Sequence, residues 1–463
     1  MKVLAAIANH GTGNRGFLDQ LLEAHRESSF DTRVVVLSNI AKDVGEGVEV
    51  RVGVPSRNPW SLPFAHRVLF REELEKHDLF IYSEDDTLLK ERHLAAFQWA
   101  ESVLRKDEIA GFLRIERDPD GNEFYSSCHS FFRWRPSSVR ERGGALWARY
   151  SNEHSACFVA TREQIQTGIE SGGFGLEPHE GRYDMLCAAA TDLYANCGFE
   201  RLICLDRLED FSIEHLPNKY IGKMGLAKSD LMIQIEALRQ VHQGKLPEYE
   251  LLEPETRLPG SMGAKFYDER PDARLFEIIQ SAASVLSWGC GSGALEEPLI
   301  RSGVKVVGVP LDAVIGSIAR RRGLELVYGP ENPALEQLNG AGFEAVILSD
   351  ILHLADDQAS LLTGLFNMLG KGGRLACRIP NFHDAGMRRR RFTDERYRMV
   401  WDEDRVGAAL LEASGLKQLA EGCGFRGVEV SYGMSGRRQK LSAWSMGLLD
   451  HWLGSHIYLS AIR

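Results

Sequence analysis

The sequence lacks closely spaced cysteine pairs. Its eight cysteines are scattered over 463 residues, and no two of them stand at CxxC spacing. This spacing argues against a structural zinc site and against a disulfide scaffold, and it favours reduced thiols. We therefore predict a cytoplasmic protein.

Long apolar runs are also missing. The first one, Val3–Ala8, ends at the polar residues Asn9 and His10. A membrane-spanning helix needs a run of about 20 apolar residues, and a secretory signal also needs a longer one. We expect neither a signal peptide nor a transmembrane segment.

Positive charge is not in excess. The chain has 55 Lys and Arg residues against 65 Asp and Glu residues, which gives a net charge of −10. Nucleic-acid binding depends on a basic face, so we predict no nucleic-acid partner. The apolar content of 44% and the charged content of 26% are typical of a globular protein.

What the chain does have is an alternation of strand and helix patterns, which predicts two α/β domains. In the first half, apolar runs such as Val3–Ala8 and Asp78–Tyr82 alternate with helical patterns such as Phe17–His25. A turn at Asp118–Gly121 predicts a hairpin, so we expect a mixed sheet there. The second half alternates in the same way and ends in a predicted pair of strands at 427–432 and 457–462.

A proline-rich and acidic segment separates the two halves. It contains Pro247, Pro254 and Pro259 among several glutamates. Such a composition is typical of a linker. We predict domains at 1–245 and 266–463, joined by a linker at 246–265.

A glycine-rich turn opens the second half. Val285–Gly293 leads from an apolar strand into three glycines at alternate positions, and a helical pattern follows. Glycine at such a turn lets the backbone approach a ligand closely. Three further segments follow in order, and they are Phe343–Leu354, Leu369–Leu375 and Leu419–Phe425.

Together the four segments resemble the class I S-adenosylmethionine-dependent methyltransferases. The resemblance implies a Rossmann-like, doubly wound sheet with an antiparallel edge, and a ligand at the carboxyl ends of its strands. It implies S-adenosylmethionine as the cofactor. The cofactor-binding positions that it implies are Ser287, Gly289, Gly291, Gly293, Asp312 and Asp350.

Two positions depart from the pattern of that family. Ser287 stands where the family usually has an acidic residue, and Pro310 stands where a carboxylate normally binds the ribose hydroxyls. The side chain of proline accepts no hydrogen bond, and Asp312 is our candidate for the missing carboxylate. The alternative to an intact cofactor site is a degenerate domain kept for scaffolding.

Methyl transfer to a hydroxyl needs a base as well as positioning. His353 follows the predicted fourth strand and is our catalytic candidate, although a packing role is the alternative. His383, Asp350 and Asp384 are further candidates. The run Arg388–Arg391 is either a solvated helix face or an anchor for an acidic or phosphorylated acceptor.

The first half has a glycine motif of its own. Residues 11–16 read GxGxxG between a predicted strand and a predicted helix. A dinucleotide site also needs an acidic residue at the end of the second strand, but that strand ends in Ser38 and Asn39. We therefore do not predict nicotinamide or flavin binding.

Three carboxylates, Glu84, Asp85 and Asp86, follow another apolar strand of the first half. Packed side by side they repel one another, and some protonate unless a cation neutralises them. Mn²⁺ and Mg²⁺ favour oxygen ligands and bridge to phosphates, so we predict a metal site here. An exposed acidic turn is the alternative.

With this acidic loop, the first half resembles the GT-A glycosyltransferases. The resemblance implies a nucleotide-sugar donor, a metal held by Glu84, Asp85, Asp86 and His215, and nucleotide contacts at Asn14 and Arg15. It also implies a carboxylate base. Our order of preference for this base is Glu180, Asp184 and then Glu177.

These observations lead to the hypothesis of a bifunctional enzyme of glycan biosynthesis. Its first domain would transfer a sugar from a nucleotide sugar to a glycan or glycolipid acceptor, and its second would methylate a hydroxyl. One alternative is a glycosyltransferase with a noncatalytic methyltransferase-like domain. The other is a methyltransferase whose first half only binds carbohydrate.

Overall fold

The computed structural model describes residues 1–126, 133–222, 225–434 and 436–463. Contacts between residues divide the chain into two units, Met1–Ile235 and Glu236–Arg463. Within the described ranges, no helix is long and apolar enough to cross a membrane. The seven cysteines of these ranges are free, and Cys128 lies outside them.

The first unit is α/β, as predicted. Its strands are β1 (Lys2–Asn9), β2 (Asp31–Ser38), β3 (Glu49–Val52), β4 (Leu79–Glu84), β5 (Thr87–Leu88), β6 (Glu108–Ala110), β7 (Leu113–Arg117), β8 (Glu123–Ser126), β9 (Arg140–Arg142), β10 (Ala145–Ala148), β11 (Cys157–Thr161), β12 (Glu200–Cys204), β13 (Ser212–His215) and β14 (Gly225–Ala227). Its helices are α1 (Arg15–Glu27), α2 (His66–Glu73), α3 (Glu91–Val103), α4 (Arg162–Glu170), α5 (Met185–Ala195) and α6 (Lys228–His242), the last of which contains the boundary between the units.

The main sheet of the first unit has the strand order β11-β4-β1-β2-β3. Strands β1 to β4 are parallel, and β11 pairs antiparallel with β4, so the sheet is mixed as expected. Strand β1 lies in the middle and is buried along nearly its whole length, which explains its continuous apolar sequence. The predicted hairpin is confirmed, since β7 and β8 pair antiparallel. Further strands form a four-stranded sheet, β6-β12-β10-β9, and a five-stranded sheet, β14-β8-β7-β13-β5.

The second unit contains a single seven-stranded sheet among its described residues, with the order β17-β16-β15-β18-β19-β21-β20. The strands are β15 (Ser284–Cys290), β16 (Lys305–Pro310), β17 (Glu325–Leu326), β18 (Phe343–Ser349), β19 (Leu369–Pro380), β20 (Arg426–Gly433) and β21 (His456–Ile462). Strands β15 to β19 are parallel, and β21 pairs antiparallel with both β19 and β20. The Rossmann-like sheet with an antiparallel edge is therefore confirmed.

Helices of the second unit follow most of its strands. They are α7 (Ala273–Ile278), α8 (Glu297–Arg301), α9 (Ala313–Arg321), α10 (Glu331–Leu338), α11 (Gln358–Met368), α12 (Ala385–Thr393), α13 (Glu403–Val406), α14 (Ala413–Gly422), α15 (Gly436–Trp444) and α16 (Asp450–Leu453). The predicted terminal strand pair is present as β20 and β21, but α15 and α16 lie between them in the chain.

The segment that we predicted as a linker, residues 246–265, belongs to the second unit. The Leu251 amide donates to the Leu311 carbonyl at 2.8 Å, and the Tyr249 hydroxyl donates to the Pro310 carbonyl at 3.1 Å. Glu250 also forms an isolated β-bridge with Asp312. This stretch of chain therefore packs against the end of β16.

Candidate functional site

In the first unit, the carboxyl ends of β1 and β4 border a cavity of about 360 Å³. The cavity brings together residues that lie far apart in the sequence. It is lined by Ala8, His10, Asn14, Pro59, Trp60, Leu62, Pro63, Glu84, Asp85, Asp86, Leu186 and Lys219. Four of the predicted site residues, Asn14 and the three carboxylates, therefore share one pocket.

The three carboxylates of this cavity differ in environment. Burial, followed by the charge of Asp86, raises the pKa of Glu84 to about 8. Burial also raises the pKa of Asp85, although the side-chain amides of Asn14 and Asn9 donate to its two oxygens. Burial acts to raise the pKa of Asp86, but the nearby His215 outweighs it and the pKa lies below its usual value.

His215 is one of the predicted metal ligands, and it lies beside Asp86. Its Nε2 is 3.5 Å from Asp86 Oδ2, and its Nδ1 is hydrogen-bonded to Glu116. The predicted pair is thus brought together, but both ring nitrogens already face protein carboxylates. Asp86 and Glu116 hold the imidazole between them.

The predicted Mn²⁺ or Mg²⁺ site is not supported. No three His, Cys, Asp or Glu side chains are arranged to hold a metal ion in the part of the chain that the structure describes. Asn9 and Asn14 donate to both oxygens of Asp85, and His215 lies against Oδ2 of Asp86, so three of these carboxylate oxygens already have protein partners. Metal binding at these carboxylates therefore stays a prediction.

The remaining predicted residues of the first unit lie in different places. Arg15 is exposed, and its guanidinium pairs with Asp19 at 2.8 Å and donates to the Asp43 carbonyl. Asp184 caps α5, because its Oδ1 accepts from the Cys187 amide at 2.9 Å. Its charge also contributes to the raised pKa of Glu84, so it lies near the acidic cavity.

Glu180 lies in the loop before α5 and is partly exposed. Its neighbours His179, Gly181 and Arg182 line a separate cavity of about 840 Å³. Asp192 lies in this second cavity and forms a buried ion pair with Arg67. Glu180 and Asp184, our first two candidates for the carboxylate base, therefore lie beside different cavities.

In the second unit, the glycine turn after β15 has the backbone that its sequence requires. Gly289 and Gly293 have φ values of 73° and 83°, a left-handed region that favours glycine. A Cβ on Gly291 would lie 2.0 Å from the Tyr267 carbonyl oxygen. The Ser292 amide donates to that same oxygen at 2.6 Å, so the backbone at Tyr267 lies directly against the glycine turn.

Ser287, where the family pattern has an acid, contacts a carboxylate that sequence analysis missed. Its hydroxyl donates to Glu296 Oε1 at 2.6 Å. Both residues are buried, since Ser287 is 2% exposed and Glu296 is 1% exposed. Glu296 Oε2 is buried and has no hydrogen-bond partner among the described residues. A carboxylate is therefore present beside the turn, supplied by a different residue.

Asp312, our candidate for the missing ribose carboxylate, is the N-cap of α9, and its role in cofactor binding stays a prediction. Its Oδ1 caps α9 by accepting from the Val314 and Ile315 amides, both at 2.8 Å. Residues 249–251 also pair with the turn that contains Asp312. We call residues 249–267 the arm, because this segment covers both the β16 turn and the glycine turn.

Asp350, at the end of β18, belongs to a buried ionic network. Arg378 pairs with Asp350, with Glu269 at 2.9 Å and with Asp272 at 2.7 Å. Burial acts to raise the pKa of Asp350, but Arg378 outweighs it and holds the pKa below its usual value. Asp350 also has a φ of 51°, an uncommon value for a residue other than glycine. The Oδ1 of Asp350 has no hydrogen-bond partner among the described residues.

The predicted base His353 is buried, with 1% of the residue exposed. Its Nε2 lies 2.6 Å from the Gly263 carbonyl oxygen, which can only accept, so this nitrogen holds the proton. Burial lowers the pKa of His353 to about 4. The imidazole is therefore neutral at neutral pH and is oriented by the arm.

With this geometry established, residues 264–430 also match the family described as "Methyltransferase domain". The second unit contains a class I methyltransferase domain. The GT-A resemblance of the first unit stays a prediction.

Curated relatives align with part of this domain. The chain is 34% identical over 103 residues to "Ubiquinone biosynthesis O-methyltransferase" of Xylella fastidiosa (strain M23), which covers 21% of this chain and 42% of that protein. The protein of the same description from Ruegeria sp. (strain TM1040) is 32% identical over 103 residues, covering 21% and 41%. The chain thus spans about two fifths of the length of these relatives.

Solved methyltransferase structures also match. A SAM-dependent methyltransferase from Archaeoglobus fulgidus has 15% identity and a TM-score of 0.33, covering 41% of this chain and 90% of that chain. One from Mesorhizobium loti has 16% identity and a TM-score of 0.31, covering 41% and 96%.

S-adenosylmethionine, the cofactor that a methyltransferase domain implies, fits one side of this site better than the other. Its methionine end carries an ammonium group, and the buried Oε2 of Glu296 is suited to a cation. At the end of β16, Pro310 offers no side-chain acceptor for ribose hydroxyls. Tyr249 and Leu251 also donate to backbone carbonyls of that turn, so the arm lies against it.

The methyltransferase domain has a cavity of about 330 Å³ at the carboxyl ends of β18 and β19. Its lining includes Asp350, Asp384, Arg390, Arg438 and His456. Polar side chains therefore line the cavity on several sides, and Asp350, whose buried Oδ1 has no partner among the described residues, is one of them. His353 is not among the residues that line it.

Proposed function

We propose that the second unit transfers a methyl group from S-adenosylmethionine to a hydroxyl group. The observation that carries this proposal is the unpartnered carboxylate oxygen of Glu296 beside the glycine turn. A buried anionic oxygen without a donor is unfavourable, and an ammonium ligand would satisfy it. The name of the curated relatives, which are O-methyltransferases, supports a hydroxyl as the acceptor.

The acceptor would occupy the cavity beside Asp350. Arg378 keeps Asp350 ionised. The Oδ1 atom of Asp350 has no partner among the described residues and would accept a hydrogen bond from a hydroxyl. We therefore favour Asp350 over His353 as the group that orients or deprotonates the acceptor, since His353 is buried and bonded to Gly263. Positioning would supply much of the remaining rate enhancement.

Calorimetric titration of the full chain with S-adenosylhomocysteine tests this proposal. Saturable heat is expected, and replacement of Glu296 should weaken the binding. Absence of heat from both S-adenosylmethionine and S-adenosylhomocysteine at high protein concentration, in the wild type and in a Leu251→Pro variant that loosens the arm, would contradict it.

A second candidate function, sugar transfer by the first unit, is favoured by the cavity at the ends of β1 and β4. It combines an exposed aromatic residue, Trp60, with Lys219 and a protonatable Glu84. Lys219 would neutralise part of a diphosphate, and Trp60 would stack on a base or a sugar. A nucleotide sugar as donor and a glycan or glycolipid as acceptor remain part of this proposal.

Hydrolysis of a panel of sugar nucleotides, with and without Mn²⁺, tests the second candidate. Turnover should fall when Asp85 and Asp86 are both replaced by Asn. Turnover that survives this double replacement would remove the acidic loop from the reaction, and no turnover with any donor would leave methyl transfer as the function of the chain.

A further inference from the structure

The helical segment at residues 436–453 has an unusual concentration of exposed apolar side chains. Sixteen large apolar residues are exposed in the described ranges, and five of them lie in this short segment. They are Leu441 (48% exposed), Trp444 (80%), Met446 (87%), Leu448 (75%) and Trp452 (44%). Soluble surfaces carry scattered apolar residues, but a concentration like this marks an interaction site.

This segment is attached to its unit through polar contacts. Arg438 pairs with Asp384 at 3.1 Å, and the Asn381 side-chain amide donates to the His451 carbonyl at 2.9 Å. Within the segment, Arg438 donates to the Leu453 carbonyl and the Ser442 hydroxyl donates to Asp450 at 2.5 Å. Neither α15 nor α16 has a buried residue. The apolar side chains therefore do not serve to anchor the helices.

The turn between α15 and α16 gives a second indication that an exposed apolar side chain has a role in this segment. Met446 has a φ of 50°, a left-handed conformation in which glycine or asparagine is favoured at a helix end. A methionine there is strained, and its side chain points into solvent with 87% exposed. The backbone conformation does not favour methionine at this position, whereas contact with an external apolar partner would.

Basic residues accompany the apolar ones. Arg437 and Lys440 are exposed on α15, and the four arginines of α12, Arg388–Arg391, lie on the helix whose N-cap, Asp384, pairs with Arg438. This concentration of positive charge stands out in a chain with a net charge of −10. Exposed Trp and Leu next to Lys and Arg are typical of segments that lie in the interface of an anionic bilayer.

We propose that residues 436–453 form a membrane-docking surface that binds anionic phospholipid bilayers. Trp444, Met446 and Leu448 insert at the level of the headgroups, and Arg437 and Lys440 attract the negative surface. Arg438 and Asp384 also line the cavity of about 330 Å³, so the surface adjoins the site proposed for the acceptor. The docking surface itself does not depend on methyl transfer.

Sedimentation of the full chain with vesicles tests this proposal, using phosphatidylcholine with and without phosphatidylglycerol. We expect binding to the anionic vesicles that falls with salt, and at least tenfold weaker partitioning for the double variant Trp444→Ser/Leu448→Ser. Arg437→Gln and Lys440→Gln should each reduce partitioning by about fivefold. Val68→Ser, at a residue of the first unit that is 57% exposed, is the matched control and should bind as the wild type does.

Thermal unfolding of each variant verifies that it folds, since these side chains are exposed and contribute little to stability. Wild-type protein that stays in solution with anionic vesicles would overturn the proposal, and so would a Trp444→Ser/Leu448→Ser variant that still sediments with them. Equal binding to neutral vesicles would remove the role of charge. Self-association of the wild type, lost in the double variant without any vesicle binding, would assign the surface to a second copy of the chain.

Discussion

Replacement of Glu296 by glutamine tests the most specific feature of the cofactor site. Glutamine keeps the size of the side chain and can still accept from Ser287, whose hydroxyl lies 2.6 Å from Glu296 Oε1. It removes the negative charge that Oε2 offers and places an amide NH₂ group there instead. A hydrogen bond to a charged group contributes about 1.5–3 kcal/mol. That range corresponds to a Kd for S-adenosylhomocysteine that is about 10–150-fold higher.

The same replacement should affect folding stability in the opposite direction. A buried polar atom without a partner costs about 1–3 kcal/mol, and more if it is charged. The ligand-free Glu296→Gln variant should therefore be as stable as the wild type in urea denaturation, or more stable. The variant is thus expected to bind S-adenosylhomocysteine more weakly without losing stability. A purely structural role of Glu296 does not predict this combination.

Glu297→Gln provides the matched control for this experiment. Glu297 is the next residue along the chain, but it is partly exposed and pairs with Arg301, whose side chain is 77% exposed. Such surface pairs contribute at most about 1 kcal/mol, so ligand affinity should stay within about twofold of the wild type. Calorimetry decides the outcome. A Glu296→Gln variant with wild-type affinity and lowered stability would refute our assignment of the carboxylate.

Three further predictions concern the fold and the two sites. Gly291→Ala should destabilise the second unit by several kcal/mol in chemical denaturation, because the new Cβ would lie 2.0 Å from the Tyr267 carbonyl oxygen. Gly415→Ala is the control and should be neutral or stabilising, since the space around its Cβ is open. Because the pKa of Glu84 is raised from its usual 4.5 to about 8, the stability that its protonated form provides is complete below pH 4.5 and is lost as the pH rises to 8, by at most about 1.4 kcal/mol per pH unit. Glu84→Gln should flatten that part of the stability profile, and an unchanged profile would contradict the burial of this carboxyl group. Leu251→Pro, which removes the hydrogen bond of the arm to Leu311, should raise the affinity for S-adenosylhomocysteine while lowering the melting temperature, and lowered affinity would show that the arm helps to form the site.

The fold of the second unit was predictable because its signals are local. The strand-turn-helix at Val285–Gly293 and the apolar runs at β16, β18 and β19 fix both the sheet and the position of the turn. Parallel strands that are buried on both faces have continuous apolar sequences, which separate clearly from the amphipathic helices between them. The acidic loop at Glu84–Asp86 was likewise placed correctly at the end of a strand.

Contacts over long sequence separations were not predictable. Glu296 directly precedes α8, and only the folded turn brings its carboxylate to Ser287, nine residues earlier in the chain. Arg378 meets Glu269 across 109 residues, and Tyr249 meets Pro310 across 61. The partners of the acidic loop were missed for the same reason, because Asn9 and His215, which engage Asp85 and Asp86, come from other strands.

The two departures from the methyltransferase pattern have different structural consequences, and together they explain how a site can be present and yet bind weakly. At Ser287 the carboxylate is retained, since Glu296 brings it to the same turn. At Pro310 it is replaced by the arm, whose Tyr249 and Leu251 bond to the backbone of the turn. If only a fraction of molecules has the arm displaced, the apparent Kd rises by the inverse of that fraction while the contacts of the bound donor stay the same. Weak binding by the wild type therefore does not by itself indicate a degenerate domain. Tighter binding by Leu251→Pro identifies a covered site, and a site that has truly lost its ligands gains nothing when the arm is released.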